Sequence, residues 1–161
     1  MCSIVVADGD STLLKLVECY LSFRGHSVFS ANGAVDAMSA VRAVRPDIVV
    51  VDAELQWGGW KGIRALMNED PFLVEIPMVL IADRVPADDL RDAKRPVIAS
   101  WLSKPFRLFQ LQVAIENSLA GRNMARFDSA HRARPADGGT LPVAGVVTHG
   151  NGWGHQSGGE G

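Results

Sequence analysis

Short apolar runs alternate with amphipathic stretches five times between residues 4 and 119. Few folds accept that order. The runs span residues 4–7, 27–30, 48–51, 77–82 and 97–103. Ile48-Val49-Val50-Val51 is the strongest of them, and Asp52 closes it. A run that is apolar at consecutive positions reads as a strand buried on both faces. The stretches between are helical. The first runs to residue 24, capped by Asp10 or Ser11 and stopped at Gly25. The second covers 34–45, ahead of Pro46; short helices follow at 63–69 and 87–93. Leu108, Leu111, Ile115 and Leu119 mark the last. The alternation predicts an α/β domain with a parallel sheet and right-handed crossovers.

The chain has 161 residues, enough for one domain and a tail. Composition changes at Gly121: residues 121–161 hold 10 of the 16 glycines and show no helical or strand period. Such a segment buries too little apolar surface to offset its ordering entropy. The expected organisation is a folded domain over 1–120 and a disordered tail over 121–161. His149 and His155 in that tail lack the partners of a closed metal site, so a flexible tail is the expectation there. The domain carries a net charge of −3 and the tail +1, too little to grip nucleic acid through a basic field. No apolar stretch approaches the ~18 residues of a membrane span, and Asp8 comes too early for a signal peptide. Cys2 and Cys19 form neither a disulfide framework nor a metal spacing. A reducing, cytoplasmic setting with free thiols is expected.

Three strands end in chemically notable groups: Asp8 after the first, Asp52 after the third and Lys104 after the fifth. In a parallel sheet these ends share one edge, where ligands bind. Carboxylates crowded with one ammonium suit a hard cation and a phosphoryl group. An aspartate among them can attack phosphorus and form an acyl phosphate. Asp10 lies two residues past Asp8; it joins the site if the loop bends, and otherwise caps the helix.

The segments Ile4-Val5-Val6-Ala7-Asp8, Pro46 to Asp52, Pro77 to Ile81 and Trp101-Leu102-Ser103-Lys104-Pro105-Phe106 resemble the receiver domain of bacterial two-component response regulators. The similarity runs from about Ser3 to Leu119. It implies a flavodoxin-like, doubly wound sheet of five parallel strands, order 2-1-3-4-5, with five helices. It implies Asp52 as phosphoacceptor, Lys104 as the phosphoryl contact, Mg²⁺ held by Asp8, Asp52 and, if the loop bends, Asp10, and a cis bond before Pro105. The partners implied are a histidine kinase or phosphotransfer protein and a downstream protein reached through the last helices and fifth strand, with no nucleic acid and no membrane. Such a chain is a signalling protein rather than an enzyme.

The sequence departs from the family pattern in places. Gly9 stands where the family has its second acid, a direct metal ligand, so weakened Mg²⁺ affinity is expected. Ala82 replaces the usual Thr or Ser after the fourth strand, removing a hydroxyl donor to the phosphoryl group. Trp101 falls where the family carries a switch aromatic, but without that hydroxyl the two-residue switch of Ala82 and Trp101 is broken. The loop holding Trp57 and Trp60 is unusual; these rings either cover the site, meet a partner or pack on the sheet. A phosphorylation-independent pseudo-receiver, acting as an interaction module, is the alternative. Asp8-Gly9-Asp10-Ser11-Thr12 also resembles the first motif of haloacid dehalogenase-like phosphatases, with Asp8 as nucleophile and Asp10 as acid/base, but that reading leaves Asp52 without a role.

Overall fold

The computed structural model describes residues 1–56, 58–84 and 98–132, with side chains as far as residue 124. Five strands, β1 (Ser3–Ala7), β2 (Ser27–Ala31), β3 (Ile48–Asp52), β4 (Met78–Ala82) and β5 (Ile98–Ser103), form one sheet in the order β2-β1-β3-β4-β5. Every pairing is parallel. Four helices are described: α1 (Ser11–Phe23), α2 (Ala34–Val44), α3 (Gly59–Glu69) and α4 (Leu108–Arg132). The expected helix over 87–93 lies outside the described residues, as do Val97 and the tail from residue 133.

The central strands are apolar at consecutive positions because both of their faces are covered. Val5, Val49, Val51, Met78 and Leu80 pack on one face with Met38 and Val41 of α2 and Trp60, Ile63 and Met67 of α3. Ile4, Val6, Ile48, Val50, Val79 and Ile81 pack on the other with Leu14, Val17 and Leu21 of α1 and Leu111 and Ile115 of α4. The period-2 alternation of strand side chains divides each run between the two clusters.

Local signals set the helix ends. Asp10 is the N-cap of α1: its carboxylate accepts the N–H groups of Thr12 and Leu13. The predicted consequence of Asp10→Ala is a loss of about 0.5–2 kcal/mol; urea unfolding checks it, and an unchanged midpoint would contradict this role. At the other end, Gly25 takes φ +85°, and the Gly25 and His26 N–H groups close onto Ser22 and Leu21 carbonyls. That left-handed turn is why glycine stops this helix.

Two helices differ from expectation. Helix α3 begins at Gly59, not at residue 63. Gly58 caps it, and its first turn contains Gly59 and Gly62. Glycine is a poor helix former, so local preference hides a turn that the burial of Trp60 holds in place. Helix α4 passes through Gly121 and continues to Arg132, beyond the expected domain boundary at 120. One glycine costs a helix only about 1 kcal/mol, and Arg122 Nη1 donates to the Asp47 carbonyl at 2.9 Å, tying the helix to the start of β3.

Candidate functional site

The strands β1, β3 and β5 deliver Asp8, Asp52 and Lys104 to one edge of the sheet, as the alternation predicts. Asp8 and Asp52 are buried, at 3% and 7% exposure. The Lys104 ammonium lies 3.5 Å from Asp8 Oδ2 and 3.2 Å from Asp52 Oδ2, bridging the two carboxylates. Burial disfavours that ammonium, yet the hydrogen bond to Asp52 and the negative charges of Asp8 and Asp52 outweigh it and hold the lysine above its ordinary range.

Backbone contacts aim these groups. The Lys104 N–H donates to the Ala82 carbonyl at 2.9 Å, so the residue that lacks a hydroxyl still supports the lysine through its main chain. The Lys104–Pro105 bond is cis, as the resemblance implies. Asp8 Oδ1 accepts the Asp10 N–H at 2.8 Å, and Asp52 Oδ1 accepts the Glu54 N–H at 3.3 Å. Asn32, with its amide nitrogen toward the β1–α1 loop, donates to the carbonyls of Asp8 at 3.2 Å and Gly9 at 3.3 Å. By sequence alone Asn32 is half of an Asn-Gly dipeptide, which marks a turn. Its position after β2, next to β1 in the sheet, is the signal that it reaches the loop.

The remaining candidates lie as follows. Asp10 serves helix α1, so the structure brings its backbone N–H, rather than its carboxylate, to Asp8. Ala82 is buried. Trp101 is half-buried and packs against the α2–α3 side of the core beside Ile98. Residues three apart on a regular strand face opposite ways. The irregular register of β5 against Met78 and Val79 puts both on one side. Trp60 is a core residue at 5% exposure, which decides for packing among the readings open to it. Trp57 lies outside the described residues. Both cysteines are free, and Cys2 Sγ sits 3.0 Å from His26 Nδ1. Cys2 and His26 lie at the sheet's opposite edge, where β1 and β2 begin.

Mg²⁺ keeps several waters and needs one or two carboxylates. Here the acid that would complete the pair after Asp8 is Gly9, and the Asp10 carboxylate is committed to its helix. Among the described residues no group of three or more His, Cys, Asp or Glu is placed to hold a metal ion. Asp8 and Asp52 are the two carboxylates left, and both already pair with Lys104, so the residues present fit a resident divalent cation poorly.

No protein-family model matches the chain. Relatives and solved structures do. Protein PilH of Pseudomonas aeruginosa is 26% identical over 123 residues, which cover 75% of this chain and all of PilH. The probable transcriptional regulatory protein TcrX of Mycobacterium tuberculosis is 24% identical over 79% of this chain and 53% of its own length. The chain therefore spans about half of TcrX. The crystal structure of NtrX from Brucella abortus superimposes with a TM-score of 0.69 at 26% identity, over 81% of this chain and 30% of NtrX. A response regulator receiver domain from Clostridium thermocellum gives 0.66 at 20% identity, over 78% of this chain and 99% of that domain.

The chain has the fold of response-regulator receiver domains. Its strand order and flavodoxin-like sheet are those of that family. Receiver domains are signalling modules rather than typical enzymes, and as a class they bind Mg²⁺. Relatives named as transcriptional regulators leave the expectation of no nucleic-acid partner without support. No helix among the described residues is long and apolar enough to cross a membrane.

Proposed function

We propose that this receiver accepts a phosphoryl group on Asp52 from the phosphohistidine of a histidine kinase or phosphotransfer protein. The single observation that carries the reading is the Lys104 ammonium bridging two buried carboxylates at the strand-end edge of the sheet. An Asp52 carboxylate oxygen attacks phosphorus in line. The P–N bond to the donor imidazole breaks, and its electron pair stays on the imidazole. The product is an acyl phosphate on Asp52. Lys104 neutralises charge on the transferring group's oxygens, and Asp8 holds Lys104 in place. The new charge then shifts the balance between two arrangements of β5 and the last helices, the surface for a downstream protein. In this reading residues 1–120 form the receiver, α4 carries on past them to Arg132, and the rest of 121–161 is a tail appended to it. The protein works in the cytoplasm, beside its donor.

Gly9 and Ala82 favour a second reading, a receiver fold that binds partners without phosphorylation. One experiment separates the two. The full chain is exposed to a small acyl phosphate donor, acetyl phosphate, and its intact mass is taken beside that of Asp52→Asn. The account expects one adduct of about 80 Da, the mass of a single added phosphoryl group, absent from the variant. A folded protein with no adduct would establish the pseudo-receiver instead.

A further inference from the structure

The acidic pocket already holds a cation of its own. Each of the four oxygens of Asp8 and Asp52 has a donor. The Oδ1 atoms accept the backbone N–H groups of Asp10 and Glu54, and both Oδ2 atoms accept from Lys104. A divalent ion entering between the two Oδ2 atoms would have to displace the ammonium. Among the described residues no third acid joins them to form a cation site. The Asp10 carboxylate faces the first turn of α1. At Gly9 a Cβ would meet no atom within 4 Å. Position 9 thus has room for an acidic side chain and carries none.

From this geometry we propose that Lys104 is the resident cation of the pocket, and that this receiver holds no divalent ion and loads its phosphoryl group without one. The inference rests on Asp52 as the acceptor. It goes beyond that assignment by fixing which positive charge the site uses. Two carboxylates and one ammonium make the resting site charge-paired from the chain's own residues. Affinity for a hard cation scales with the number of charged oxygen ligands offered, so the missing acid at residue 9 is the decisive loss.

The test uses the ¹⁵N-labelled full chain, titrated with magnesium chloride at constant ionic strength while the amides of Gly9, Asp10 and Ala53 are followed. The expected result is no saturable shift of these amides through the millimolar range. In Gly9→Asp the same amides shift saturably, with affinity at least about tenfold tighter; Gly9→Glu serves if that variant misfolds. In a second arm, acetyl phosphate loading proceeds at the same rate in Mg²⁺ and in EDTA. Saturable millimolar binding at these amides in the unaltered chain would overturn the proposal. So would loading that EDTA abolishes and Mg²⁺ restores. If no adduct forms under either condition, the acceptor reading fails, and the titration alone decides the question of the cation.

Discussion

Replacing Lys104 with methionine is expected to destabilise the domain by about 1.5–3 kcal/mol at neutral pH, the range for hydrogen bonds to charged groups. It should also slow phosphoryl loading at least about tenfold, equivalent to 1.4 kcal/mol of lost transition-state stabilisation. The ammonium bridges Asp8 and Asp52, and its removal leaves two buried carboxylates facing one another unpaired. The double variant Lys104→Met, Asp52→Asn should recover much of the deficit, because the repelling pair is then gone. The pH dependence follows from Lys104 itself. Its proton is held above the ordinary lysine range, so its contribution is fully present below that range. The contribution is lost as pH rises through the higher folded value. Urea unfolding of both proteins across this range checks the sign. A deficit independent of pH would contradict the bridge.

Trp60→Ala should cost about 3–5 kcal/mol, the range for emptying a large buried aromatic site. Trp60 opens α3 and packs with Ile63 and Met67 against the sheet face formed by Val49, Val51 and Leu80. A ring that merely covered the phosphoacceptor edge or waited for a partner would cost within about 0.5 kcal/mol. Domains of this size have only about 5–15 kcal/mol in total, so thermal unfolding should fall by roughly 10 °C or more. A midpoint within a degree or two of the unaltered protein would return Trp60 to the surface.

Much of this fold was legible in the sequence because the strongest signals were not local preferences. Ile48-Val49-Val50-Val51 admits little but a strand buried on both faces, and alternation with helices then makes the sheet parallel. Parallel strands place their carboxyl ends together, which is how Asp8, Asp52 and Lys104 could be grouped across 96 positions of sequence. The strand order itself came from the resemblance to receiver domains. What stayed hidden depended on tertiary contacts. The first turn of α3 is glycine-rich and helical only because Trp60 is buried there. The continuation of α4 past Gly121 runs against a change in composition. The side shared by Ile98 and Trp101 depends on an irregularity in β5 that no periodicity announces. Asn32 is one residue of a turn until β2 is known to lie beside β1. Asp10 had two readings, and the geometry of the α1 cap chose between them.

The most direct test of the account is to locate the phosphoryl group chemically. After exposure to acetyl phosphate the chain is treated with borohydride, which reduces an aspartyl phosphate to homoserine, and its peptides are sequenced by mass spectrometry. The account predicts homoserine at position 52 and at no other aspartate. Conversion at Asp8, as the phosphatase reading requires, or conversion nowhere in a folded and treated chain, would contradict it.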